Sequence, residues 1–560
     1  QRIKDYPVLP RLQMGKIEEF FAELPREDLP VYVGEQYLEL HRATLTTQAL
    51  VKQLNRQSEH RLTEAETFGA LAALSGGFPY PYNQLDEGWT TLLLNQFHDV
   101  LPGSSIHEVY QDTHPMLRGV IESATALRDV AIAHLAGPSK GAFAVANPDL
   151  HERPLTVLLP SDAKPVALDG DALPAQQVDG GQLVHDPDRA VAPLAITGLT
   201  TTKKAAKPVR TVSAKAGKKE SVLENDLLRV VIGADGTLQS ITDKAANREV
   251  LAGRANQLWA YIDRPRAWDA WDIDETYEVI GMEITDVDKI EAVEDGPLRA
   301  AIRVSRTWRS STFTQTYRLL AGSRRLDIVN DIDWHERLVL VRALFPVEVH
   351  AHEATFETMY GVVRRATHRN TSWEQAKFEA SAHRFVDLSE PSYGVALLND
   401  AKYGHSAHGN VLGISLVRGP LHPDPMADEG EHHFTYSLFP HEGDWVAGKV
   451  TREARALNSP LVAVSAGNGK SADPFVVNEG LELGLGALKQ AHDRKGIVLR
   501  VYEPHGDRGV ATLRFAKAPK SVRRVNLLEE DVDDGKLEVK KGAVTLDVRP
   551  FEVLSLLIES

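Results

Sequence analysis

A histidine and a carboxylate stand side by side at His98 and Asp99, inside the run Asn95-Gln96-Phe97-His98-Asp99-Val100-Leu101-Pro102-Gly103-Ser104-Ser105-Ile106. An imidazole nitrogen is a good zinc ligand, and the adjacent carboxylate can bind metal or accept hydrogen bonds from a polar substrate. Pro102 and Gly103 are expected to end a helix running from Trp89 and to hold the pair at its C-terminal tip. Consecutive side chains on such a tip diverge by about 100°. One ion would then not take both, and with His98 turned to a metal Asp99 faces the pocket wall. The bland alternative is a packed, satisfied imidazole at a helix end.

Three further constellations carry chemistry. His422, Asp424, Asp428, Glu429, Glu431, His432, His433 and His441 form a rival metal site of hard and borderline ligands at loose spacing. Against it, residues 432–436 read as a strand, where adjacent histidines face opposite ways. Trp268-Asp269-Ala270-Trp271-Asp272-Ile273-Asp274 alternates aromatic and acid. Such a run can stack on sugar rings and accept hydroxyls, but the preferred reading is a turn that packs both tryptophans into a sheet core. Ser104 and Ser105 near His107 lack a glycine-rich nucleophile elbow and are weak nucleophile candidates.

The elements that must position these residues change character once. Residues 16–24 read as a short helix between proline-rich loops. Residues 44–74, 85–99 and 106–135 each carry an apolar stripe at helical spacing, for example Leu54, Leu62, Ala65 and Phe68 in the first. Three long helices with short connections predict an antiparallel bundle. After Gly137-Pro138 the text becomes short runs of Val, Leu, Thr and Ala between Gly, Asp, Asn and Pro turns, an all-β texture seen at 227–232, 303–308, 326–332, 412–417 and 545–548. Residues 200–220 are small and basic and read as an exposed loop or linker. Residues 234–237 read as a hairpin turn. The fold class is thus multidomain, α then all-β, with no internal repeat.

Composition excludes several classes. The chain has 560 residues, 42% hydrophobic and 25% charged, as in a globular protein of three or four domains. A net charge of −15 argues against nucleic acid or an anionic membrane as the main partner. With no cysteine there is no disulfide, thiolate ligand or cysteine nucleophile, which fits a reducing cytoplasm. No run approaches the length needed to span a membrane. Gln1 to Tyr6 form no signal peptide and lack an initiator methionine, so the chain is expected to begin inside something larger, which leaves secretion open.

Several long motifs together resemble the C-terminal two-thirds of glycoside hydrolase family 38, the α-mannosidases, in its bacterial and cytosolic or vacuolar branch. They are the segments 34–48, 95–106, 268–274, 367–373, 393–400, 423–430 and 432–441. Ala43 and Leu45 depart from the Gly and Tyr usual there. The resemblance implies a fold of five parts. These are the tail of a β/α barrel (1–34), a three-helix bundle (35–136), a small β domain with a basic linker (137–220), a large β-sandwich of the galactose-mutarotase-like supersandwich type (221–477) and a C-terminal β domain (478–560). It implies zinc as cofactor, with His98 as a ligand. The other ligands and the nucleophilic Asp are expected in a barrel upstream, so no catalytic nucleophile is expected in this chain. Asp99 would bind sugar hydroxyls, and His41 and Arg42 would line the sugar pocket; otherwise Arg42 simply caps or pairs with Glu39. The expected reaction is retaining hydrolysis of terminal α-D-mannosides of mannose-containing oligosaccharides, and a homodimer is compatible with it. A non-catalytic carbohydrate-binding or assembly β-sandwich module is the alternative.

Overall fold

Leu54, Leu62, Ala65, Phe68 and Ala72 fall on one face of a 3.6-residue period, and a helix that buries such a stripe needs a partner stripe opposite. The computed structural model describes residues 13–138, 141–492 and 495–559. The segment up to Leu38 is a unit of its own. Its described helix, α1 (Ile17–Glu23), buries none of its residues, and Ile17, Phe20 and Phe21 are exposed.

The second unit, Glu39–Ser560, opens with two short 3-10 turns, Glu39–His41 and Ala43–Leu45. Three long helices follow: α2 (Ala49–Ser75), α3 (Tyr82–Asn95) and α4 (His107–Ala136). Val51, Leu54, Leu62 and Ala65 of α2 pack with Leu85 and Leu92 of α3 and with Leu117, Val120 and Ala124 of α4. The expected bundle is present, with two boundary differences. Helix α2 starts at Ala49, five residues later than the apolar pattern suggests, because Gln48 takes a left-handed backbone (φ 56°). Helix α3 ends at Asn95, so His98 and Asp99 lie beyond its tip, in a turn.

From Phe143 on the chain is almost wholly antiparallel sheet. Strands Phe143–Ala146, Ile196–Thr201 and Val166–Leu168 belong to a first five-stranded sheet, to which Val462–Val464 returns to pair with Phe143–Ala146. The basic segment is less of a linker than its composition suggests: Ser213–Lys215 pairs with Glu220–Glu224, although most of its side chains are exposed. Strands Leu228–Gly233 and Leu238–Asp243 pair across the turn expected at 234–237.

A nine-stranded sheet runs through Arg299–Trp308, Ser311–Leu320, Leu326–Trp334, Gly430–Glu442 and Tyr393–Asn399. A six-stranded sheet runs through Gln257–Ile262, Val339–Pro346 and Val411–Arg418. The two sheets meet where the Phe345 and Tyr436 rings lie 5.8 Å apart edge to face, as stacked sheets do. A C-terminal sandwich of three and five strands closes on Leu485, Leu499, Val501, Leu513, Phe515, Leu546 and Leu556. Among the described residues, no helix is long and apolar enough to cross a membrane.

Candidate functional site

Beyond α3 the chain folds back on itself over residues 96–103, with Val100 N–H donating to Phe97 O at 2.9 Å and Gly103 N–H to Val100 O at 3.1 Å. Gly103 sits at φ 95°, and a Cβ there would collide with the Thr47 carbonyl, so glycine is required on both counts. The turn is held from α2. Lys52 Nζ donates to the carbonyls of Leu101 (2.9 Å), Pro102 (3.2 Å) and Thr47. Burial pulls the Lys52 pKa down to about 7. Gln96 Nε2 donates to Asn55 and Glu59, both at 3.0 Å.

This frame sets the geometry of the pair. The His98 side chain is 75% exposed, and its Nε2 lies 3.5 Å from Asp99 Oδ2. Its ring packs on Phe97, with centroids 4.3 Å apart. The other Asp99 oxygen accepts Ser104 Oγ–H at 2.7 Å, and the Asp99 carbonyl accepts the Tyr110 hydroxyl at 3.2 Å. The expected divergence of the two side chains does not hold, because they stand on a turn and not on a helical tip. Ser104, a weak nucleophile candidate by sequence, orients Asp99 instead. Lys52, Ser104 and Tyr110 are the supporting residues that sequence reading missed. A lysine on an amphipathic helix ordinarily reads as solvated, and its place opposite the Pro-Gly turn, 49 positions away at Leu101, comes only from the tertiary fold.

The second predicted pair lies on the loop before α2. Arg42 is buried. Its guanidinium meets Asp272 Oδ1 at 3.2 Å, donates through Nε to Ala376 O at 3.1 Å, stacks over the Phe378 ring and lies 3.9 Å from Glu39. His41 is exposed and lines a cleft of about 550 Å3 with Leu40, Trp268, Trp271, Asp272 and Asp274. The loops 40–47 and 268–274 are tied together: Ala43 N–H donates to Trp271 O at 3.0 Å and Thr47 Oγ–H to Ala270 O at 3.1 Å. The reading of 268–274 as a turn holds, but its tryptophans do not enter the core. Trp268 is 71% exposed, while Ala270 and Ile273 are the buried members. The Thr47 backbone, beside Gly103, places the two loops and the His98 turn in one neighbourhood.

The rival metal site is dispersed. Asp428 accepts the backbone N–H of Gln48 (2.7 Å) and Ala49 (2.6 Å), capping α2 from afar. Asp424 accepts Gln48 Nε2 at 2.7 Å and lies 3.2 Å from His107 Nδ1, at the start of α4. On strand Gly430–Glu442, His432 is buried and bonds to Asp428 O, whereas His433 is exposed against Asp331. His441 pairs with Asp387. Among the described residues no group of three His, Asp or Glu side chains converges on one point. Fewer than the usual three or four protein ligands of a zinc site thus meet at any one point among the described residues. At the turn they offer one exposed imidazole and one oriented carboxylate.

A helical bundle in front of stacked β-sandwiches is also the architecture of two solved proteins from Enterococcus faecalis. One is an α-mannosidase from strain V583 (TM-score 0.80, 19% identity, 97% of this chain and 71% of that one), and the other a protein in glycosyl hydrolase family 38 (TM-score 0.77, 18% identity, 97% and 73%). At these identities the likeness defines the class of fold. Sequence goes further. Residues 39–135 match the α-mannosidase middle domain, 223–426 the glycosyl hydrolases family 38 C-terminal domain, and 483–556 the C-terminal β-sandwich domain of the same family. The chain belongs to glycosyl hydrolase family 38 over its middle and C-terminal domains. It is 34% identical to human α-mannosidase 2C1 over 576 residues, covering 100% of this chain and 54% of that protein. It is 31% identical to the α-mannosidase of Saccharomyces cerevisiae over 605 residues, covering 98% and 51%. The chain thus spans about half the length of the curated relatives it matches.

Proposed function

We propose that this chain supplies the helical-bundle and β-sandwich part of a zinc-dependent retaining α-mannosidase acting on terminal α-D-mannosides of oligosaccharides. One observation carries the reading. A turn braced by the buried Lys52 holds an exposed imidazole and an oriented carboxylate, His98 and Asp99, out to solvent. That is what a metal site shared between segments asks of one contributor: a ligand free to bind, on a support that does not move. Leu93, Leu94, Phe97 and Ile106 around it are each more than half exposed, as at a surface that a further segment covers.

In this reading His98 is one zinc ligand. The remaining ligands and the nucleophile come from the half of the relatives' length that this chain does not span. Zinc, when bound, would act as a template for ring hydroxyls. The residues of this chain hold and orient. Asp99, fixed by Ser104, accepts a sugar hydroxyl; His41 stands at the mouth of the neighbouring cleft; Arg42 fixes Asp272 on that cleft's wall. Retaining hydrolysis needs one carboxyl group to attack the anomeric carbon and another to protonate the leaving oxygen, and neither role falls to Asp99. A cytoplasmic location belongs to the same proposal and is supported by the cysteine-free composition.

The test is hydrolysis of a nitrophenyl α-mannoside. Residues 1–560 alone are expected to show none with or without added zinc, and the protein extended upstream is expected to turn over. Sustained turnover by residues 1–560 would mean that the catalytic acids lie in this chain. An extended protein that binds sugar but never hydrolyses it would favour the non-catalytic module.

A further inference from the structure

Trp268 presents a large apolar ring to solvent from a backbone that a bulky residue rarely adopts. The residue is 71% exposed and its φ is 61°, in the left-handed region. Both features cost free energy in the folded chain, and neither is repaid by packing the ring. The surrounding loop nevertheless enforces them. The Trp268 carbonyl accepts the N–H groups of Trp271 (2.8 Å) and Asp272 (3.0 Å). Asp269, the next residue, accepts Leu421 N–H at 2.6 Å, and its carbonyl is held by the buried Arg418. Ala270 and Ile273 anchor the loop in the core. The Trp271 ring stands edge-on to Trp268, with centroids 5.6 Å apart and planes at 82°.

The result is a fixed aromatic wall on the cleft of about 550 Å3, a size suited to one or two sugar rings. Opposite chemistries line the same cleft. Asp272 is held by Arg42 at 3.2 Å, Asp274 lies 3.9 Å from the exposed Arg266, and His41 completes the polar rim. A pyranose has an apolar C–H face and a rim of hydroxyl donors. An indole face beside carboxylate acceptors matches both, whereas a purely apolar partner would cover the carboxylate oxygens that Arg42 and Arg266 leave open without offering them donors.

The geometry points to a hexopyranoside-binding subsite at Trp268, Trp271, Asp272 and Asp274, with Trp268 as the stacking platform. It rests on the mannoside reading above for its ligand, and it lies one loop away from His98. The subsite takes a sugar residue of the oligosaccharide other than the one held at the His98 turn.

The experiment is calorimetric titration of residues 1–560 with methyl α-D-mannopyranoside. Saturable binding in the millimolar range is expected. Trp268→Ala should weaken it at least tenfold, and Trp268→Phe should retain most of it. Trp373→Ala, at another exposed tryptophan outside the cleft, should leave it unchanged. Because Trp268 is exposed, all three variants should keep the wild-type melting temperature. Absence of saturable binding by the wild type, or equal affinity in Trp268→Ala, overturns the proposal; in the second case the ring is a contact face for a further segment of chain. The two readings fail separately. If the extended protein shows no mannosidase activity while Trp268-dependent binding persists, the function fails and the subsite stands; if activity is present without Trp268-dependent binding, the reverse holds.

Discussion

Lys52 Nζ lies 2.9 Å from the carbonyl oxygen of Leu101, so a lysine of α2 holds the turn that carries His98 and Asp99. Its other acceptors, Pro102 and Thr47, leave three carbonyls without this donor if the ammonium is removed. Lys52→Met keeps the length of the side chain. It should cost about 1–3 kcal/mol of stability, the range for buried acceptors left unsatisfied, partly offset because a buried ammonium no longer has to be desolvated. The specific readout is hydrogen exchange. The amides of Val100, Gly103 and Ser104, which close the turn, should exchange faster than those of α4 by comparison with wild type. Unchanged exchange at these three amides would remove Lys52 as the support.

Asp428 caps α2, accepting the backbone N–H groups of Gln48 and Ala49. Asp428→Ala should destabilise the chain by about 1–2 kcal/mol, and Asp428→Asn should recover only part of that, since the amide keeps one acceptor oxygen and turns a donor toward the second backbone N–H. Urea denaturation midpoints check this. No loss in the alanine variant would mean that the Gln48 and Ala49 amides find other acceptors.

The same cap shows what could be read from the chain alone. The apolar spacing of Leu54, Leu62, Ala65 and Phe68 is local, so α2 was legible. Its start was not, because the capping carboxylate sits 380 positions away from Gln48. For α3 the apolar pattern and the Pro-Gly signal suggested an end near 99, but Gln96 reaches back to Asn55 and Glu59 on α2, and the helix stops at Asn95. The alternation of tryptophan and acid at 268–274 was legible as a turn. Which side of it is buried depends on Arg418 and on the 40–47 loop, which only the tertiary fold brings near.

Stability should fall with acid below neutral pH. His405 is buried with Nδ1 bonded to the Tyr403 carbonyl at 3.0 Å and Nε2 beside the Asn399 amide at 3.3 Å, the pattern of a neutral ring. Burial pulls its pKa down to about 3, against an ordinary value of 6.5. His383 and His114 are pulled down to about 4 for the same reason. Between pH 6.5 and 3 the unfolded chain therefore binds protons that the folded chain refuses. The stability is full above pH 6.5 and is lost as pH falls through this window, at most roughly 1.4 kcal/mol per pH unit for each histidine. Urea midpoints at pH 7 and pH 5 should show the drop, and His405→Gln should flatten it. Equal midpoints at the two pH values would contradict the neutral burial of these rings.

On the proposed function, Asp99 binds substrate and not metal. In the protein extended upstream, Asp99→Asn keeps the Ser104 contact and the size of the side chain while removing the charge. It should leave zinc bound and lower turnover roughly ten- to hundredfold, the value of a charge-assisted hydrogen bond of about 1.5–3 kcal/mol that strengthens in the transition state. Steady-state kinetics and metal content on one preparation separate the roles: zinc loss would make Asp99 a ligand, and unchanged kinetics would leave it a structural part.

The central claim is that His98 contributes a ligand to a zinc site completed by a further segment of chain. Elemental analysis of the upstream-extended protein, wild type against His98→Ala, tests it most directly. The account predicts that zinc content and hydrolysis of a nitrophenyl α-mannoside fall together in the variant while its melting temperature without metal is unchanged, since the ring is exposed. Full zinc content in His98→Ala would take His98 out of the coordination shell and contradict the account.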